Sequence, residues 1–212
     1  MAIRAVLFDF DGTLGDSYRA ITASVNHVRA RHGLAPLSVD QVRPHVGRGL
    51  PSLLKSCVPG TDIERDSQLY RTHHPSVLES GTELLPGAQE MLQSLHERNI
   101  ELAICSNKPV AFTRKLAEYL GIASFLDQIL GPEDVPAPKP APDMLVEAIR
   151  RLGIPKKDAI YVGDMTVDIQ TARSAGVRVW VVPTGSDARQ TLVDAKPDKL
   201  LNSLSEIVAL IG

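Results

Sequence analysis

The stretch "LFDFDGTLGDS", residues 7–17, decides the reading of this chain. An apolar run, Ala5 to Phe8, ends abruptly in Asp9-Phe10-Asp11 and turns at once through Gly12 and Thr13. In extended backbone, residues two apart project to the same side, so Asp9 and Asp11 share a face. Two carboxylates that close do not both ionise cheaply without a cation, and otherwise one keeps its proton. The arrangement suits a hard, oxygen-seeking metal ion, one carboxylate acting as nucleophile and the other as general acid and base. Gly12 frees the backbone to turn close to a ligand.

Outward from that stretch, the chain after residue 85 alternates short strands with amphipathic helices. Residues 100–105 ("IELAIC"), 159–163 ("AIYVG") and 177–182 ("VRVWVV") read as strands. Between them, "PGAQEMLQSLHERN" opens on Pro86 as a first-turn residue and lines up Ala88, Met91, Leu92 and Leu95. The helices of "PVAFTRKLAEYLG" and "PDMLVEAIRRLG" stop at Gly121 and Gly153, and Ser203 with Glu206 suggests a capping box for the last helix. Such alternation predicts an α/β fold, a Rossmann-like three-layer core with a parallel sheet between helices. Residues 16–81 differ, reading as helical throughout. Tyr18, Ile21, Val25 and Val28 form one stripe, Ser38 and Gln41 a capping box, and Pro51 a helix start. The expected organisation is therefore a catalytic core of residues 1–15 and 82–212 with an all-helical insert at 16–81.

Bulk composition narrows the function. With 43% hydrophobic and 23% charged residues, the composition is that of an ordinary globular chain. A net charge of −2 gives no electrostatic footprint for nucleic acid or an anionic membrane. "MAIRAVLFDFDG" does not read as a signal peptide, and no segment reaches the roughly 20 apolar residues of a span. Cys57 and Cys105 have neither metal nor redox spacing, so reduced thiols in a cytoplasmic protein are expected.

In an open parallel sheet, ligands bind beyond the carboxyl ends of the strands. Polar residues that directly follow apolar strands therefore carry the interest: Asp9 and Asp11, then Ser106 and Asn107, then Asp164, with Lys139 in the proline-stiffened "PAPKPAPD". Taken singly, each has a plainer reading, as turn-former, helix cap or solvated lysine. Their occurrence in order at strand ends points instead to one site. Asp9 and Asp164 can hold magnesium. The turn's main-chain amides, at Gly12 and Thr13, with Ser106, Asn107 and Lys139, can cradle a phosphoryl group.

"DFDGTLGDS", "CSNK", "APKPAPDM" and "GDMTVDIQTARSAG" resemble, in order, the four motifs of the haloacid dehalogenase superfamily, over nearly the whole chain. The helical insert resembles that superfamily's small α-helical cap, and the chain is most similar to its phosphoglycolate phosphatase-like branch. The resemblance implies Asp9 as phosphate-accepting nucleophile and Asp11 as acid/base, also giving magnesium a backbone carbonyl. It implies Ser106 and Lys139 as phosphate binders, Asp164 as a metal ligand and Asp168 as its support. Two residues depart from the pattern. Gly15 replaces a commoner bulky apolar residue, which should loosen the cap hinge, and Met165 replaces a commoner threonine or serine.

The implied activity is magnesium-dependent hydrolysis of a small phosphomonoester through an aspartyl phosphate, with 2-phosphoglycolate as a candidate substrate. A sugar phosphomutase of β-phosphoglucomutase type and a non-hydrolytic phospho-aspartate switch remain as alternatives. Arg48, flanked by Gly47 and Gly49 in "RPHVGRGLP", is a candidate grip for a substrate carboxylate. Its reading as a solvated loop residue, with Arg43 and His45, stands beside that one. His27, His32, His73, His74 and His96 show no metal spacing and are expected to pack, as is Trp180.

Overall fold

β1 (Ala5–Phe8) has no polar side chain and is buried at every position, which makes it the strand the sheet is built around. The computed structural model describes residues 2–211. After β1 the chain forms β2 (Gly15–Asp16) and then a helical excursion of α1 (Tyr18–Arg31), α2 (Val39–Val42), α3 (Leu50–Cys57) and α4 (Ile63–His73). It returns through β3 (Glu83–Leu84), α5 (Ala88–Glu97), β4 (Glu101–Cys105), α6 (Val110–Tyr119) and β5 (Gln128–Leu130). The last third holds α7 (Asp143–Leu152), β6 (Ala159–Gly163), α8 (Thr166–Ala175) and β7 (Arg178–Val181), then α9 (Arg189–Asp194), β8 (Lys199–Leu200) and α10 (Ser205–Ile211).

The sheet has the order β5-β4-β1-β6-β7-β8, parallel throughout. Alternate β1 side chains feed opposite layers. Val6 and Phe8 join α5, α6 and α10, while Ala5 and Leu7 join α7 and α8. Val6, Leu7 and Phe8 each contribute about 1.5–3 kcal/mol when fully buried, so the two layers fix the central strand's register. Trp180 lies in the first layer, as expected. Cys57 and Cys105 are buried and unbridged. No helix among the described residues is long and apolar enough to cross a membrane.

The helical excursion has its own core, in which Tyr18, Ile21, Val25 and Val28 of α1 meet Val42, Leu53, Leu54 and Tyr70. The Ser38–Gln41 capping box forms, and Pro51 sits in the first turn of α3. Three local expectations need correction. α5 starts at Ala88 behind Gly87, leaving Pro86 outside the helix. At α10 the Glu206 carboxylate accepts from Asn202, and Ser203 pairs with Ser205, so the box does not close. β2 and β3 form a two-stranded antiparallel ribbon across the ends of the excursion, too short to show any periodicity.

Gly15 lies in that ribbon, and the space a side chain would take there is filled. A Cβ there would stand 2.9 Å from the ring of Phe10, which is fully buried in the space. Gly15→Ala should therefore destabilise the fold by about 1–3 kcal/mol through overpacking. A Phe10→Leu background should absorb most of that loss in a double-mutant cycle of urea melts. Simple additivity would show that the two sites do not share volume.

Candidate active site

Register brings the site together. Phe8 is level with Ile104 on one side and with Val162 on the other. Asp9, Ser106 and Asp164 consequently leave the sheet at one carboxyl edge, and the Asp9 amide still donates to the Val162 carbonyl at 2.9 Å.

Beyond that edge is a buried cluster of charge. Carboxylate oxygens of Asp9, Asp164 and Asp168 all lie within 4.8 Å of one another. The single ammonium among them, Lys139, is 3.0 Å from Asp9 Oδ2 and 2.7 Å from Asp168 Oδ1. Burial pushes Asp9 up to about 6 against the pull of Lys139, and burial followed by the charges of Asp168 and Asp9 pushes Asp164 well up. For Lys139, burial acts downward, but Asp168 and Asp9 outweigh it and hold the ammonium charged. With all three carboxylates ionised, one ammonium would leave two negative charges uncompensated in a buried pocket, which is why burial and mutual repulsion raise Asp9 and Asp164. Asp9 Oδ1 is buried without a hydrogen-bond partner. An oxygen-rich donor set with that charge excess fits a divalent cation.

Asp168 has little left to offer such an ion. Its Oδ1 accepts from Lys139 and from the Tyr161 hydroxyl, and its Oδ2 from the amides of Asp164 and Met165. It fixes the start of α8 and the direction of Asp164. The Asp11 carboxylate stands apart from the triad, held by Lys108 Nζ at 3.0 and 3.1 Å and by the Ser17 hydroxyl.

Several of the residues expected to meet the substrate have protein partners in this structure. The Gly12 amide is bonded to the Gly15 carbonyl and the Thr13 amide to Phe10, so neither is free for a phosphoryl oxygen. Gly12 holds φ +88°, and a Cβ on it would stand 2.6 Å from an Asp164 oxygen and 2.7 Å from the Tyr18 hydroxyl. Thr13 Oγ1 donates to Asp164 Oδ1 at 2.9 Å. Asn107 accepts the Lys139 amide and donates to the carbonyls of Lys139 and of Gly47, in the helical excursion. Ser106 lies against Asp9 and lowers its pKa. Met165 packs on Gly47, where even a Cβ would collide with its sulfur.

Asp9, Asp11, Ser106, Asn107 and Lys108 open onto a cavity under the helical excursion, with about 50 Å³ open to the centres of water-sized groups. Ile21, Val46, Leu50, Leu53 and Tyr70 roof it, with His74 and Phe112 beside them. Arg48 does not reach it. The residue is exposed and lines an outer groove with Lys55 and Arg71, because the Gly47 carbonyl is turned in toward Asn107. Arg43 stacks on the Tyr18 ring at 4.0 Å and is likewise occupied.

Sequence reasoning missed Lys108, Ser17 and the loop after β7. In that loop Thr184 donates to the Gly12 carbonyl and the Ser186 amide to Asp164 Oδ2. "TGSD" follows an apolar strand just as the other site residues do, so the strand-end rule would have found it. His74, expected only to pack, stacks on Tyr70 and also lines the cavity; burial and Lys108 push it down to about 3.

A family model described as haloacid dehalogenase-like hydrolase matches residues 6–182. The phosphoglycolate phosphatase of Rhodobacter capsulatus is 34% identical over 199 residues, 91% of this chain and 89% of that protein. The phosphoglycolate phosphatase of Nitrosospira multiformis is 32% identical, covering 100% of this chain and 96% of its own. A solved structure described as a haloacid dehalogenase-like hydrolase, from Bacteroides fragilis, superposes with a TM-score of 0.91 at 30% identity, over 97% and 99% of the two chains.

The charge excess has a signature in stability. Unfolded Asp9 releases its proton near the ordinary 3.8 and folded Asp9 near 6, so the folded state binds more protons between them. Without a divalent cation, stability should fall as pH rises through that window, by up to roughly 3 kcal/mol. Thermal melts in chelator from about pH 4 to about pH 7 should show the fall, and added magnesium should remove it. A pH-independent melting temperature in chelator would contradict the charge count.

Proposed function

This chain belongs to the haloacid dehalogenase-like hydrolases, and on that premise we propose that it hydrolyses a small phosphomonoester through a phosphorylated Asp9. The observation that carries the reading is Asp9 itself. One oxygen is fixed by Lys139, and the other is buried, unpartnered and part of a carboxylate that opens on the cavity.

Asp9 Oδ1 attacks phosphorus while Lys139 and Ser106 stand beside the transferred group. The bond from phosphorus to the leaving oxygen breaks, and Asp11 gives that oxygen a proton. Asp11 then takes a proton from water, whose oxygen attacks the aspartyl phosphate and returns free Asp9 and inorganic phosphate. Lys108 and Ser17 hold Asp11 in place for both transfers. Asp9 and Asp164 would hold magnesium, with the Asp11 backbone carbonyl. When bound, magnesium neutralises charge developing on the phosphoryl oxygens. The helical excursion acts as the cap, closing over the leaving group. The names of two relatives support 2-phosphoglycolate as the substrate.

Asp9→Asn should lower phosphate release by at least about a thousandfold. Acid-quenched wild type should carry one hydroxylamine-labile phosphoryl group that Asp9→Asn lacks. Asp11→Asn should cost about 10²–10⁴-fold on an alkyl phosphate and much less on an aryl phosphate, whose leaving group needs no proton. Equal losses on both would remove Asp11 as the acid.

A further inference from the structure

Beyond Asp9 and Asp11 the cavity carries little charge. Ile21, Val46, Leu50, Leu53 and Phe112 offer only carbon. Tyr70 is a neutral phenol raised by burial and by Asp11, and His74 is neutral because burial and Lys108 hold it near 3. Among the described residues lining the cavity, Lys108 is the single cation. Its side chain is only 4% exposed, and Nζ stands 3.3 Å from Ser17 Oγ as well as on Asp11. The arginine expected to meet the substrate, Arg48, faces the outer groove.

A leaving group that carries a carboxylate has therefore one cation to meet. Against the apolar roof the charge would be desolvated and unpaired. At Lys108 it meets an ammonium with three N–H donors. Two of those donors face the Asp11 carboxylate and the third faces Ser17 Oγ at 3.3 Å, so a substrate carboxylate would displace the hydroxyl, the weakest of the three partners. Resting on the phosphomonoesterase reading above, we propose that Lys108 is the specificity residue for the leaving group, pairing the carboxylate of a short phosphorylated hydroxy acid.

The test compares 2-phosphoglycolate with ethyl phosphate, which has the same two-carbon chain without the carboxylate. In magnesium, wild type should favour 2-phosphoglycolate at least tenfold in kcat/KM. Lys108→Met should slow both substrates through Asp11 but also erase the preference, with the extra loss on 2-phosphoglycolate appearing in KM. Lys108→Arg should restore part of the preference, and Arg48→Ala should keep all of it. An unchanged ratio in Lys108→Met would show that the lysine serves Asp11 alone and would overturn the proposal. So would a wild type that hydrolyses both esters equally, an outcome that leaves the phosphatase reading standing. Release of phosphate from neither ester would instead remove that reading, and this inference with it. Should Lys108→Met fail to fold, inhibition of wild type decides. 3-Phosphonopropionate should compete with an aryl phosphate at least tenfold better than propylphosphonate, and equal inhibition constants would overturn the assignment.

Discussion

One ammonium organises this molecule's chemical edge. Lys139 enters a pocket that three carboxylates share and touches two of them. By occupying Asp9 Oδ2 it leaves Oδ1 as the oxygen without a partner. By pairing with Asp168 it fixes the group that receives the amides of Asp164 and Met165. The Tyr161 hydroxyl joins the same point to the Cys105 carbonyl, tying the ends of β4 and β6 together. Buried ion clusters of this kind are weak sources of net stability, since desolvation offsets the attraction. Their contribution here is to geometry: each carboxylate has one orientation, set before any substrate arrives.

The helical excursion supplies shape and dryness, while the reacting groups come from the sheet. It meets the core at Gly47 against Met165 and Asn107, at the Tyr18 hydroxyl against Ser186 at 3.1 Å, at Ser17 against Asp11 and Lys108, and at the ring of His74 against Phe112. Met165 thus has a physical role in place of the commoner hydroxyl residue, giving the excursion an apolar seat beside Asp164. Gly47 and Met165 are complementary in the same sense as Gly15 and Phe10, each glycine making room for one large side chain.

Much of this was legible in the chain. The strand that ends in Asp9 announces itself by an apolar run stopped by carboxylates, and the strand-helix alternation gave the sheet's class. β5 and β8, with three and two residues, were not legible because nothing so short carries a period. The ribbon at Gly15 and Glu83 escaped for the same reason. Side-chain direction was the other limit. Spacing placed Asn107 and Thr13 at the right edge, yet their polar atoms face protein groups. It also put Arg48 in the right loop facing the wrong way. Lys108 lay inside a quoted motif and went unused, because a lone lysine after a strand looks solvated until a carboxylate is seen 3.0 Å away.

The side-chain amide of Asn107 reaches in two directions, to Gly47 at 3.1 Å and to the backbone of Lys139 at 3.0 Å. Any separation of the roof from the core would break the first arm and leave the second intact. Water replaces the lost partner, so the break costs only about 1 kcal/mol. Of the contacts that seat the roof on the core, this one alone also braces the backbone that carries Lys139, and that brace does not depend on the roof.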